Sequence, residues 1–236
     1  MSYNLFAMAD LFQHSMFYEV LFPPSEDTNT GTQELTLQKL KRFLPDPSLR
    51  LEEVKLVVFD LETTGLDYEA DRIIEIGAIK LENFKPVGEF SSLVKTDIEF
   101  TDDIVRLTGI TREMLANEGE DLNETLGNFL KFIDGCILVA HNAAFDFTMI
   151  KRHYNRMGVE LEWATFCTLK LAREFLAQLE NKKLDTLAEH YGLQFEARHR
   201  SIGDVKVTCS VLENLMTKEA QNLKNWADIT PFRVDL

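Results

Sequence analysis

VKLVVFDLETTGLD (residues 54–67) opens as a run of apolar, mostly β-branched residues and closes in two acids, two threonines and a glycine. The run has the composition of a buried strand. Asp60 and Glu62 lie two positions apart, so on a strand they project from the same face. They stand at its C-terminal end, where α/β sheets tend to present their ligands. An isolated Asp-x-Glu is better explained by a strand that has ended and left both acids in water.

Working outward, RIIEIGAIKLE (72–82) and EFSSLVKT (89–96) complete an antiparallel meander with VKLVVFD (54–60). Helical periodicity follows near 102–107, 122–134, 144–157, 168–179, 184–191 and 203–217. ILVAH (137–141) supplies a fourth strand, and a fifth short strand is expected near 162–167. This order predicts an α/β fold with a mixed five-stranded sheet flanked by helices. Upstream, Leu5, Met8, Phe12 and Met16 recur at helical spacing, Pro23-Pro24 ends that helix, and SEDTNTGTQ (25–33) reads as a linker. LTLQKLKRFL (35–44) places Leu37, Leu40 and Leu44 on one helical face. The expected organisation is a helical N-terminal extension over 1–53, a catalytic domain over 54–217 and a C-terminal tail over 218–236.

The 236 residues are 45% hydrophobic, enough for one large α/β domain and an appendage. No apolar stretch approaches the roughly 20 residues of a membrane helix, and no signal-peptide pattern opens the chain. Cys136, Cys167 and Cys209 form no Cys-x-x-Cys pair and are odd in number, so reduced thiols in a cytoplasmic protein are expected. The net charge of −14 argues against sequence-blind binding to nucleic acid through a basic surface. It leaves open a nucleic-acid enzyme whose metal ions reverse the local charge. No Gly-x-Gly-x-x-Gly or Gly-x₄-Gly-Lys occurs, which removes the common nucleotide-binding loops.

Two further acids change the weight of the first pair. In HNAAFDFTMIKRHYNRM, Asp146 shares a helical face with Ile150, His153 and Met157. In HRSIGDVKVTCSVLENLM, Asp204 shares a face with Val207, Val211 and Leu215. A helix-start acid is favoured by the helix dipole, but the dipole does not explain why each acid heads an inward apolar stripe. Buried unpaired carboxylates are costly, and divalent cations hold several together. All-oxygen ligation favours Mg²⁺ or Mn²⁺ over zinc. His199 precedes Asp204 by five residues, which on one helix would separate them by roughly 140°. It converges with Asp204 only from a loop, where it is a candidate general base. His141 ends a strand close to Asp146.

The ordered set Asp60/Glu62, Asn142-x-x-Phe145-Asp146 and His199-x₄-Asp204 resembles the DEDDh (DnaQ-like) 3′→5′ exonuclease family. HNAAFD is especially similar to the proofreading members. RIIEIGAIKL, RLTGIT (106–111), TLKLAR (168–173) and LDTLAEHYGL (184–193) fall in the family's order, over about residues 54–217. Val205 departs from the usual alanine. The resemblance implies a ribonuclease H-like fold and a two-metal hydrolysis with Mg²⁺ or Mn²⁺. Asp60, Glu62 and Asp204 would hold one ion, and Asp60 with Asp146 the other; His199 would take a proton from water. It implies nucleoside 5′-monophosphates released from single-stranded 3′ ends, DNA favoured, although the family also holds RNA-trimming enzymes and oligoribonucleases. Thr63, Thr64, Gly65, Leu66, His141, Asn142 and Phe145 would border the substrate, with Gly65 free to adopt positive φ. MADLF (8–12) resembles the bacterial sliding-clamp motif with Met8 in place of glutamine. The N-terminal segment 2–22 reads first as an amphipathic helix packed on the domain or, by self-association, on a second subunit, with a sliding-clamp contact as the other reading. An interaction module of a replication or repair complex is the alternative of another class.

Overall fold

A computed structural model describes residues 38–39 and 45–234. The expectations for residues 2–22, MADLF among them, and for the linker 25–33 lie outside the described residues. The helix expected over 35–44 meets one difference: Gln38–Lys39 form a short strand, β1, paired in parallel with Val159–Glu160 (β6). An open strand edge there competes with local helical periodicity.

The main sheet is built from β2 (Leu56–Thr63), β3 (Ile73–Glu82), β4 (Lys85–Leu93), β5 (Ile137–Ala140) and β7 (Thr165–Cys167), in the order β4-β3-β2-β5-β7. The β2–β3 and β3–β4 pairs are antiparallel, and β2–β5 and β5–β7 are parallel. This is the expected mixed five-stranded sheet. β4 begins at Lys85 rather than 89, because Asn83 and Phe84 both take positive φ (48° and 57°) and close a two-residue hairpin.

The helices are α1 (Asp102–Thr108), α2 (Arg112–Glu118), α3 (Leu122–Ile133), α4 (Ala144–Arg156), α5 (Thr168–Phe175), α6 (Leu184–Tyr191), α7 (Ser201–Asn214) and α8 (Trp226–Ile229). α2 was not among the expected helices. Gly109 closes α1 in the left-handed conformation, and the Thr111 hydroxyl caps α2 by accepting from the Met114 N–H. α5 stops at Phe175, four residues before its expected end. The last expected helix continues through a π-helical turn, Leu215–Glu219.

β2 is buried on both faces. Leu56 and Val58 pack with Val205, Val207 and Val211 of α7, and with Leu184 and Leu187 of α6. Val57 and Phe59 pack with Leu126, Phe129 and Leu130 of α3, and with Phe147 and Ile150 of α4. Burial on two faces is why the strand reads as a continuous apolar run. The segment after α7 folds back, burying Trp226, Ile229 and Val234. Among the described residues no helix is long and apolar enough to cross a membrane.

Candidate active site

Strand alternation sets the site. Residues 56, 58, 60 and 62 share a face, and Leu56 and Val58 on that face meet α7. Asp60 and Glu62 therefore continue the apolar face directly under the helix that carries Asp204. Close approach is possible because Gly77 pairs with Asp60 in the ladder. A Cβ on Gly77 would lie 2.6 Å from the Ile202 nitrogen and 2.6 Å from Ser201 Oγ. The sheet thus needs a glycine where the N-terminal turn of α7 presses on it.

Oxygens of Asp60, Glu62 and Asp204 all lie within 4.8 Å of one another. Asp146 enters from α4 and is 5% exposed; its Oδ1 accepts from the Leu61 N–H at 3.3 Å. The inward stripes hold at Ile150, His153, Val207, Val211 and Leu215, which are all buried, while Met157 is half-buried at the end of its stripe. Burial, then repulsion from Asp146, Glu62 and Asp204, holds the Asp60 carboxyl well above its usual pKa. Burial, then Asp204, Glu75 and Asp146, raises Glu62 to about 8. Burial raises Asp146, against hydrogen bonds from its own backbone and Leu61. Burial also raises Asp204 to about 6, opposed by Arg198. Asp204 Oδ1 is buried with no partner among the described residues. Four repelling carboxylates, one with an orphaned oxygen, fit hard divalent cations.

Arg198 was not singled out from the sequence. Its guanidinium donates to Asp204 Oδ2, and to Asp185 at 2.8 and 2.9 Å. It also donates to His199 Nδ1 at 3.3 Å. His199 stands in the loop before α7 with φ of 59°. Burial first, and then Arg198, lower its pKa, so the imidazole is neutral at neutral pH. Glu75 was also missed. It is 1% exposed, accepts from Arg200 at 3.0 and 2.5 Å, and accepts from the Ser201 N–H at 2.8 Å. Its signal was an acid inside the apolar run IIEIGAI.

The turn after β2 departs from expectation in two details. Gly65 is not in the left-handed region; a Cβ there would lie 2.4 Å from Asp71 Oδ2, so any other residue would displace the Asp71 side chain. The threonine hydroxyls are spent within the turn. Thr63 Oγ1 donates to the Gly65 carbonyl (2.6 Å), and Thr64 Oγ1 donates to Asp71 (2.7 Å) while accepting from the Arg72 N–H (3.0 Å). Leu66 is left 81% exposed. Phe145 packs on Tyr68 with centroids 5.5 Å apart. Asn142, at φ 65°, and His141 line a cleft of about 740 Å³ with Asp60 and Asp204.

Comparison with known proteins agrees with this geometry. The exonuclease (RNase T) family matches residues 57–212. The PolC-type DNA polymerase III of Caldanaerobacter subterraneus subsp. tengcongensis is 40% identical over 166 residues, covering 70% of this chain. The chain spans 12% of that relative's length. E. coli exonuclease I in complex with a dT13 oligonucleotide aligns with a TM-score of 0.65 at 17% identity, over 72% of this chain and 42% of that one. Exonuclease X in complex with 5′ overhanging duplex DNA aligns with a TM-score of 0.56 at 26% identity, over 74% of this chain and 99% of that one. By motif order, ribonuclease H-like fold and family match, the chain belongs to the DEDDh (DnaQ-like) exonuclease family.

Proposed function

We propose that this chain is a divalent-metal-dependent 3′→5′ exonuclease that releases nucleoside 5′-monophosphates from single-stranded 3′ ends, with DNA as the favoured substrate. The observation that carries this reading is the convergence of Asp60, Glu62 and Asp204 within 4.8 Å, with Asp146 pressed against the backbone of Leu61. Asp60, Glu62 and Asp204 would hold one Mg²⁺ or Mn²⁺, and Asp60 with Asp146 a second. When bound, such ions lower the pKa of water and neutralise charge developing at the phosphate and the leaving oxygen. The DNA named with exonuclease I and exonuclease X, and the DNA polymerase among the relatives, support DNA over RNA.

The chain's own residues do the rest. His199 is neutral at neutral pH, the state in which it accepts a proton. Arginine only donates, so the Nδ1 that faces Arg198 is the unprotonated nitrogen. Arg198 must therefore withdraw toward Asp185 before His199 takes a proton at that atom. Leu66, Asn142, Phe145 and the backbone of Thr63–Gly65 border the terminal nucleotide. The catalytic unit extends over residues 54–217, with 218–234 folded against it.

Side-by-side digestion of 5′-labelled single-stranded DNA, duplex DNA, RNA and dinucleotides with Mg²⁺ or Mn²⁺ tests the reading. Single-stranded DNA should shorten from its 3′ end, one nucleotide at a time, and EDTA should stop it. Cleavage that persists in EDTA, or a ladder that grows from the 5′ end, would overturn it.

A further inference from the structure

The cleft in front of the acids has a wall formed by the chain that leaves α5 and enters α6. Arg173, Lys182 and Lys183 stand on this wall. Most described basic side chains are committed elsewhere, as Lys55 is to Glu82 and Lys206 to Glu196. Lys182 turns its ammonium onto the Leu179 carbonyl at 2.7 Å. Arg173 and Lys183 are exposed, and their side chains have no hydrogen-bond or ion-pair partner among the described residues. Glu180 and Asp185 share the wall, and Asp185 is answered by Arg198. With Asp60 and Asp204 the cleft carries four acids to four cations, a balance locally more basic than the chain's net charge of −14.

The wall is fastened to the sheet by His141. Its Nδ1 lies 3.0 Å from Thr168 Oγ1, and its Nε2 lies 2.9 Å from the Lys182 carbonyl. A carbonyl only accepts, so Nε2 carries the proton and Nδ1 accepts from the Thr168 hydroxyl. Both ring nitrogens are thereby used, and neither is left for substrate. What His141 holds is the backbone that carries Lys182 and Lys183.

A strand whose 3′ end reaches the acids carries further phosphates along the cleft. Phosphodiesters recruit free Lys and Arg side chains, which fix register without reading sequence. We propose that Arg173 and Lys183 form a phosphate subsite for the strand upstream of the scissile bond, and that His141 is the positioning residue that holds the Lys182–Lys183 segment in place. The subsite rests on the nuclease reading above.

The test is binding of a 5′-labelled oligothymidylate to the full chain in Ca²⁺, between about 50 and 200 mM salt. Each phosphate contact on a single strand contributes ~0.7 to the slope of log affinity against log salt. Arg173→Gln/Lys183→Gln should flatten the slope by roughly 1.4, with an unchanged melting temperature because both side chains are exposed. Lys224→Gln, in a different groove and with no side-chain partner among the described residues, should keep the wild-type slope. His141→Ala should raise KM in Mg²⁺ while kcat holds, should flatten the slope, and should add nothing in the double-variant background. His141→Gln offers an amide donor to the Lys182 carbonyl and should restore the slope. A wild-type slope in the double variant overturns the subsite alone. A wild-type slope in His141→Ala overturns the positioning role. A wild-type chain that binds no oligonucleotide overturns the nuclease reading and the subsite with it.

Discussion

Glu62 and Glu75 face each other across the β2–β3 ladder, yet they belong to opposite kinds of acid site. Glu75 is answered on both oxygens: Oε1 receives Arg200 twice, and Oε2 receives the first N–H of α7. Glu62 sits with Asp60, Asp146 and Asp204; the cations near this group are Arg198, which bonds Asp204, and Arg200, which is committed to Glu75. Burial alone therefore does not mark a functional carboxylate; a shortage of partners does. Glu75 is a strut that sets where α7 begins, and so where His199 and Asp204 stand. The other four acids are a demand for charge that the chain itself does not meet.

The comparison breaks most sharply on activity. Asp60→Asn and Asp204→Asn remove a proposed metal ligand while keeping shape, and each should cut the rate of 3′-end release by at least about 100-fold. Steady-state digestion of labelled DNA measures this. Near-normal turnover in either variant would reduce the cluster to an accident of packing. Glu75→Ala should act on stability first. Removing one partner of a buried ion pair costs about 3–5 kcal/mol. The Arg200 side chain keeps 32% of its exposure, which puts the loss near 3 kcal/mol in urea unfolding. Activity should fall a further 10–100-fold, because His199 and Asp204 lose their support. A Glu75→Ala protein as stable as wild type would remove the distinction between strut and ligand.

The acidic-cluster half of this contrast was legible in sequence, and the strut was not. Asp60 and Glu62 announced themselves by period two on a strand, and Asp146 and Asp204 by heading apolar helical stripes. Those patterns depend on local geometry alone. The mixed five-stranded sheet followed from the same periodicities, while the order of its strands came from the fold. Glu75 sat in plain view within IIEIGAI, but its partner Arg200 is 125 residues away, and no local period links them. Arg198 lay in a polar stretch that reads as a loop, and only the fold brings it onto Asp204 and Asp185. α2 was hidden because its start rests on one Thr111 side-chain bond rather than on a long stripe. Gly65 was expected to supply backbone freedom, whereas its role is the space that Asp71 occupies.

The smallest effect separates the two glutamates by pH. Glu62 has a folded pKa of about 8 against an ordinary value of 4.5. Between those values the unfolded chain has released this proton and the folded chain still holds it. Metal-free stability must then fall as pH rises through the window, and the loss is complete above about 8. Glutamine mimics the protonated form and has no such dependence. In EDTA, Glu62→Gln should match wild type near pH 4.5 and gain on it as pH rises. The gain should reach on the order of 2 kcal/mol by pH 8, well below the full shift because the cluster relaxes and admits water. Mn²⁺ should reverse the order, since it stabilises the wild-type ligand set and has less to hold in the variant. Thermal unfolding across this pH range, with and without Mn²⁺, measures both signs. A Glu62→Gln protein less stable than wild type in EDTA at pH 8 would place Glu62 with Glu75, as an acid already satisfied by its own chain.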